Sequence, residues 1–351
     1  MNYKDFTRRG LLNAEFYLTR VIKGKPKETL AIIADEGTYS EACLLSVCAK
    51  KLGLRPFVID VSVYGISRFT PVDYEFIEPV KTAIKSADIC VTTCLGYAKL
   101  LGSSKEMDGI LTGEARCFAL WARGINEWDF DFEEIIAARK RTPALKELVK
   151  KSSVLRVTTK LGTDLTCRVG VKNISAIYEV LAITPFFAEL AIIPNYGTVA
   201  GTAVVDGAVS AGIRRENFGE HELGFEPIRI TIKDGAVTDY QAAPLHLARL
   251  EKFINEANPR ADKIDEVGLV TTTAKINDEY QWGIWANGSH HSRSMHIALG
   301  NNEHSRKDIV HASAHADFDI LDPVIELDGK IIYQNGMFDD SYIFMSVNSK
   351  A

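Results

Sequence analysis

The sequence predicts an α/β N-terminal domain with a mainly parallel sheet over residues 1–151, and a β-rich, α+β C-terminal domain over residues 152–351. Three observations carry this reading. Short apolar runs alternate with helical patterns in the first part of the chain. Period-two alternation around Asp-Gly and Gly-Thr turns takes over in the second. The length, 351 residues, suits about two domains that each bury a core.

The elements follow in order. Thr29-Leu30-Ala31-Ile32-Ile33-Ala34 is a short apolar run of the kind buried on both faces of a parallel sheet. Asp35-Glu36-Gly37-Thr38 comes next, then a helical pattern from Glu41 to Leu52 that Gly53 stops. Phe57 to Val61 and Ile89 to Thr93 read as the second and third strands. Glu133 to Lys151, rich in Ala, Glu, Lys and Leu, reads as a charged, exposed helix. Strands and helices alternating at this spacing imply right-handed βαβ units. Val154 to Thr159 and Asp164 to Val169 then alternate like antiparallel strands around Gly162-Thr163. Ile228 to Ile232 meets Ala236-Val237 across Asp234-Gly235, and Val324 to Leu327 meets Lys330 to Tyr333 across Asp328-Gly329. Asp-Gly suits a tight hairpin turn that needs positive φ. A helix is expected at His246 to Glu256.

Composition excludes several classes of function. With 46% hydrophobic and 25% charged residues the chain is neither disordered nor of low complexity. Lys plus Arg number 41 against 46 Asp plus Glu, a net charge of -5. That balance argues against nucleic acid or an anionic membrane surface as partner. No run approaches the ~18–20 apolar residues of a spanning helix; the longest, Ala182 to Pro194, contains Thr184 and Glu189. The Arg8-Arg9 pair lacks the apolar core of an export signal, because Asn13, Glu15 and Arg20 interrupt it. The six cysteines (Cys43, Cys48, Cys90, Cys94, Cys117, Cys167) are scattered and read as free thiols in a reducing cytoplasm. No Gly-x-Gly-x-x-Gly or P-loop is present, so no nucleotide cofactor is implied.

Histidine is the unevenly spread residue. Six of the eight (His290, His291, His296, His304, His311 and His315) lie in one stretch of the C-terminal half. Around them sit short segments offering metal ligands. Glu189 is embedded in Ala188-Glu189-Leu190-Ala191-Ile192-Ile193-Pro194, and a buried carboxylate there needs a cation, a metal or a proton. Glu266 lies in the strand-like Ile264-Asp265-Glu266-Val267-Gly268-Leu269. His291 and His296 flank Ser292-Arg293-Ser294-Met295, and His315-Ala316-Asp317 puts two donors on one face of a strand. Imidazole and carboxylate donors suit Zn, Fe, Mn or Co. Five or six of them exceed what one catalytic ion with an open position requires. They suit two metals ~3.5–4 Å apart that activate water between them. Singly, each segment has a plainer reading: a Glu paired with Arg, a hydrogen-bonded His-x-Asp, and His290, His304 and His311 as bystanders. Their order and context together favour a metal centre.

These segments resemble those of the thermophilic M29 aminopeptidases: Glu189 five before Pro194, Glu266 in Glu-Val-Gly, His296 in His-Ile-Ala-Leu-Gly, and His315-x-Asp317. The same superfamily contains the 2,5-dihydroxypyridine dioxygenases, which are similar to this chain in length. The aminopeptidase resemblance implies two divalent metals bridged by Glu266, with Glu189 and His296 serving one and His315 and Asp317 the other. The dioxygenases hold one iron through a histidine at the place of Glu266 and the His-x-Asp pair. Two departures stand out. His291 occupies a position where the aminopeptidases carry a metal-binding glutamate, so a neutral donor replaces a charged one. Glu303 stands where they carry an active-site tyrosine.

The reading is therefore a metallohydrolase acting on an amide or related C–N bond. Its metal ligands would be Glu189, Glu266, His291, His296, His315 and Asp317. Either Glu189 or Glu303 would shuttle the proton to the leaving amine. The cofactors would be divalent Zn, Co, Mn or Fe, two per chain, and the substrate a small molecule or short peptide. The alternative is a mononuclear Fe(II) ring-cleaving dioxygenase. A homodimer is implied by the resemblance alone.

Overall fold

The computed structural model describes residues 6–65, 78–93, 115–120, 125, 131–170, 174–176, 188–207, 209–211, 226–256, 261–272, 294–300 and 315–348. Among these residues the chain divides into two compact units, one up to Phe132 and one from Glu133 onward.

In the first unit β1 (Thr29–Ala34) pairs in parallel with β2 (Arg55–Asp60) and with β3 (Ile89–Thr92). β3 in turn pairs in parallel with β4 (Arg116–Ala119). Leu30, Ala31, Ile32, Ile33 and Ala34 are all fully buried, as an apolar run without alternation requires. The helix Tyr39–Lys51 turns Leu44, Leu45 and Cys48 inward. Gly53 follows it at φ 83°, the left-handed position that ends many helices.

The second unit continues with β5 (Val154–Thr158), β6 (Asp164–Arg168), β7 (Ile174–Ala176), β8 (Glu189–Ile192) and β9 (Ala200–Val205). After these come β10 (Val209–Ala211), β11 (Ile228–Lys233), β12 (Ala236–Gln241), β13 (Ile264–Val270) and β14 (Ser294–Gly300). The last are β15 (His315–Leu321), β16 (Val324–Leu327), β17 (Lys330–Gln334) and β18 (Met337–Phe338). They build an eight-stranded sheet in the order β12-β11-β9-β6-β5-β16-β17-β18 and a six-stranded sheet in the order β10-β15-β14-β13-β8-β7. Asp234 and Gly235 turn between β11 and β12 at φ 50° and 73°, and Asp328 and Gly329 between β16 and β17 at φ 49° and 81°. Two successive positive φ values are what a type I′ hairpin demands. Asn335-Gly336 makes a third such turn, at φ 52° and 76°, which the sequence reading passed over.

Helices Pro244–Glu256 and Asp340–Asn348 complete the described unit, together with the long helix Phe132–Lys151. The expectation of an exposed helix at Glu133 to Lys151 is corrected. Ile135, Ala138, Leu145, Leu148 and Val149 are buried along one side, and Arg141 is buried with them. The charged composition masked an apolar stripe at three- and four-residue spacing. No helix among the described residues is long and apolar enough to cross a membrane.

The core fixes which way the ligand strands face. Leu190, Val267, Leu269, Ile297, Leu299 and Phe318 of the six-stranded sheet share one apolar cluster with Leu155, Val157, Leu165, Ile230 and Ile325 of the eight-stranded sheet. Alternation sends the intervening side chains of β8, β13, β14 and β15 to the opposite face. A register shift between Ile264 and Glu266 lets Ile264 join the core while Glu266 faces away from it. This is the re-aiming of a side chain that a bulge provides.

Candidate metal centre

On that second face the register lays out acids and small residues side by side. Glu266 lies opposite Ala298, which lies opposite Asp317. One row over, Ala191, Gly268, His296 and Asp319 follow one another across four strands. In the next row Glu189 pairs with Val270. The small residues leave the room that the long polar side chains occupy. A Cβ at Gly268 would overlap His296 Cε1 and Nε2 and Glu189 Oε1. Gly268 is therefore part of the site: its missing side chain is the space in which Glu189 and His296 meet.

Three carboxylates converge on one ring nitrogen. His296 Nε2 lies 3.2 Å from Glu189 Oε1, 3.6 Å from Glu266 Oε1 and 3.9 Å from Asp317 Oδ1. Glu189, Glu266 and His296 are each at most 2% exposed, and Asp317 is 9% exposed. Asp319 is fully buried in the same group and acts electrostatically on Glu189.

Concentrating this much like charge away from water has a readable cost. Burial pushes the Glu189 carboxyl well above its ordinary range; His296 pulls it down, while Glu266, Asp317 and Asp319 raise it further. For His296, burial opposes the charged ring, but Glu189, Asp317 and Glu266 outweigh it and push the imidazole up to about 10. In the metal-free protein the cluster thus holds protons that bound cations would displace.

The donor set fits divalent metal. One ligand atom from each of Glu189, Glu266 and His296 can be chosen so that all lie within 4.8 Å of one another. Oxygen and imidazole donors suit the transition-metal dications, and four carboxylates carry the charge that two such ions neutralise.

Of the residues expected from the sequence, Glu189, Glu266, His296 and Asp317 are brought together. His315 opens β15 with its backbone opposite Gly300, and its side chain lies outside the described structure. His291 and Glu303 lie outside the described residues altogether. Two members of the site were missed by sequence reasoning. Asp319 had a signal, since His315, Asp317 and Asp319 continue one period-two pattern. Gly268 had none without the register.

The family model of NicX, 2,5-dihydroxypyridine 5,6-dioxygenase, matches residues 10–340. The solved structure of 2,5-dihydroxypyridine dioxygenase from Pseudomonas putida KT2440 superposes with a TM-score of 0.60 at 17% identity, over 94% of this chain and 96% of the other. AmpT from Thermus thermophilus gives a TM-score of 0.54 at 15% identity, over 95% of this chain and 99% of the other. No curated protein matches the chain. The expected resemblance is borne out by the family model for the dihydroxypyridine dioxygenases, and the fold is shared with AmpT. A match over nearly the whole length makes the chain a member of the NicX, 2,5-dihydroxypyridine 5,6-dioxygenase family of metal-dependent enzymes.

Proposed function

We propose that this family member is a two-metal hydrolase that cleaves an amide or related C–N bond of a small molecule or short peptide. The observation that carries the reading is the convergence of Glu189, Glu266 and Asp317 on His296 Nε2. So many carboxylates around one imidazole exceed what a single open-sided ion needs, and they retain the Glu189–His296 pair as a second place for metal.

In this reading Glu189 and His296 would hold one metal, His315 and Asp317 would hold the other, Glu266 would serve both, and His291 would add a neutral donor. Zn, Co, Mn or Fe bound there would lower the pKa of a water and polarise the scissile carbonyl. The chain's own part is to fix the donors and hold protons. The strands lock the donors on a rigid face, and Gly268 lets two of them approach closely. Glu189 or Glu303 would carry the proton to the leaving amine. The domain layout proposed with this function is an α/β unit followed by a β-rich unit that bears the metals. A reducing cytoplasm suits the thiols of Cys43, Cys48, Cys90 and Cys167, and a homodimer is part of the same reading.

Family membership favours a second reading, a mononuclear Fe(II) dioxygenase that opens a heteroaromatic ring. Against it stands the donor set. Such iron is usually held by two histidines and one carboxylate, whereas the matching trio here, Glu266, His315 and Asp317, offers one histidine. One paired assay separates the two. Protein loaded with Zn(II), Co(II) or Mn(II) is given aminoacyl anilides and small amides. Protein loaded anaerobically with Fe(II) is given 2,5-dihydroxypyridine and oxygen. Amide cleavage without oxygen uptake is expected; oxygen uptake without amide cleavage would overturn the hydrolase.

A further inference from the structure

Arg141 is a buried cation that takes no part in the centre described above. It is 3% exposed in the middle of the helix Phe132–Lys151. Its Nη1 donates to the Thr271 carbonyl at 2.7 Å and to Glu134 Oε1 at 2.8 Å. Its Nε and Nη2 donate to the two oxygens of Asp340 at 2.5 and 2.7 Å. The fork thus ties together the long helix, the first turn of the helix Asp340–Asn348 and the end of β13. A planar guanidinium can satisfy three such segments at once, which a lysine ammonium cannot do with the same geometry.

What Arg141 holds is the strand end nearest Glu189. The Thr271 N–H donates to the Ala188 carbonyl at 2.7 Å, one step beyond the Val270–Glu189 pair. The Thr271 hydroxyl lies 2.6 Å from the hydroxyl of Thr142, which itself donates to the Ala138 carbonyl at 2.8 Å. Thr271 is gripped at its carbonyl by Arg141, at its hydroxyl by Thr142 and at its N–H by Ala188. Glu189 is the first residue of β8, so the backbone it stands on is secured on that side through Thr271. Glu266 lies inside β13 with β14 and β8 on its flanks, further from the grip.

We propose that Arg141 is a positioning residue for the metal centre: with Thr142 it fixes Thr271, and through Thr271 the backbone that aims Glu189 at His296. The proposal rests on the two-metal reading. Loss of the grip loosens Glu189 first and leaves Glu266 and Asp317 in place, so it weakens one metal and spares the other.

The test is a Zn(II) titration of metal-free full-length protein, with thermal unfolding of each variant recorded in parallel. Four proteins are compared: wild type, Arg141→Met, Thr142→Val, and Arg116→Met. The last removes an ion pair to Glu28 in the other unit, at 2.7 Å. Arg141→Met is expected to retain one tight site and to lose about tenfold or more at the other, the scale seen when the support of a ligand is removed. Thr142→Val, which keeps the fold should Arg141→Met fail to, is expected to weaken the same site several-fold. Arg116→Met is expected to bind as wild type whatever its unfolding temperature. Folded Arg141→Met or Thr142→Val with wild-type affinity at both sites would overturn the proposal, and so would equal weakening of both sites. If wild type binds one Zn(II) per chain, the two-metal reading fails. The positioning role is then overturned by unchanged affinity in Thr142→Val and upheld by a loss absent from Arg116→Met.

Discussion

Replacing Gly268 by alanine adds a single methyl group, and the geometry says where it goes. The new Cβ falls well inside van der Waals contact with His296 Cε1 and Nε2 and Glu189 Oε1. Glu189 Oε1 ends a flexible side chain and can retreat. His296 stands on β14 between β13 and β15, and its buried ring can move only by leaving its rotamer or shifting a strand. Overpacking of this kind costs about 1–3 kcal/mol. Because each ~1.4 kcal/mol is a factor of ten in an equilibrium constant, metal binding at the Glu189–His296 position should weaken by roughly fivefold to a hundredfold. The assay is competition with a chelator of known affinity, using Ala191→Gly as a control. Ala191 lies beside Gly268 in the same row of the sheet, and its trimming adds no atom to the site. Gly268→Ala with wild-type affinity at every site would refute the claim that Glu189 and His296 share one metal position above this glycine.

Three further outcomes are expected. Glu266→Gln removes one of the crowded charges, so the metal-free variant should be more resistant to heat than metal-free wild type, by about 1–2 kcal/mol, yet gain less stability from added metal; calorimetry with and without Zn(II) reads both signs. Stability of the metal-free protein should fall as pH rises from neutrality toward about 10, where the raised His296 titrates. The sign follows from linkage: a group whose pKa is raised by folding stabilises below its unfolded pKa and loses that contribution as pH climbs through the folded one, and the raised Glu189 acts in the same direction. Unfolding temperatures that rise over this interval would contradict the protonated cluster. Finally, Zn(II) binding at neutral pH should release protons, measured as a dependence of binding heat on the ionisation enthalpy of the buffer; buffer-independent heats would mean that His296 is already neutral.

The second unit was largely legible because its turns and alternation are local. Asp234-Gly235 and Asp328-Gly329 demand positive φ wherever they occur, and they mark two hairpins that the structure contains. The meeting of Glu189, Glu266, His296 and Asp317 was legible from the order of their segments. What stayed hidden depends on register and long-range contact. Gly268 matters because β14 places His296 opposite it, and the bulge that turns Glu266 away from Ile264 leaves no mark in the local pattern. Arg141 was hidden by its neighbours: in a helix rich in Lys, Glu and Arg, a buried guanidinium looks like one more surface charge until Thr271 and Asp340 close around it. Asp319 is the one omission that the pattern of alternation could have prevented.

The measurement closest to the central claim is the metal content of purified protein, as identity and number of ions per chain in wild type and in His291→Ala. Two divalent ions per wild-type chain are expected, with occupancy reduced when His291 is removed. A single iron per chain, unaffected by His291→Ala and turning over a dihydroxypyridine with oxygen, would contradict it.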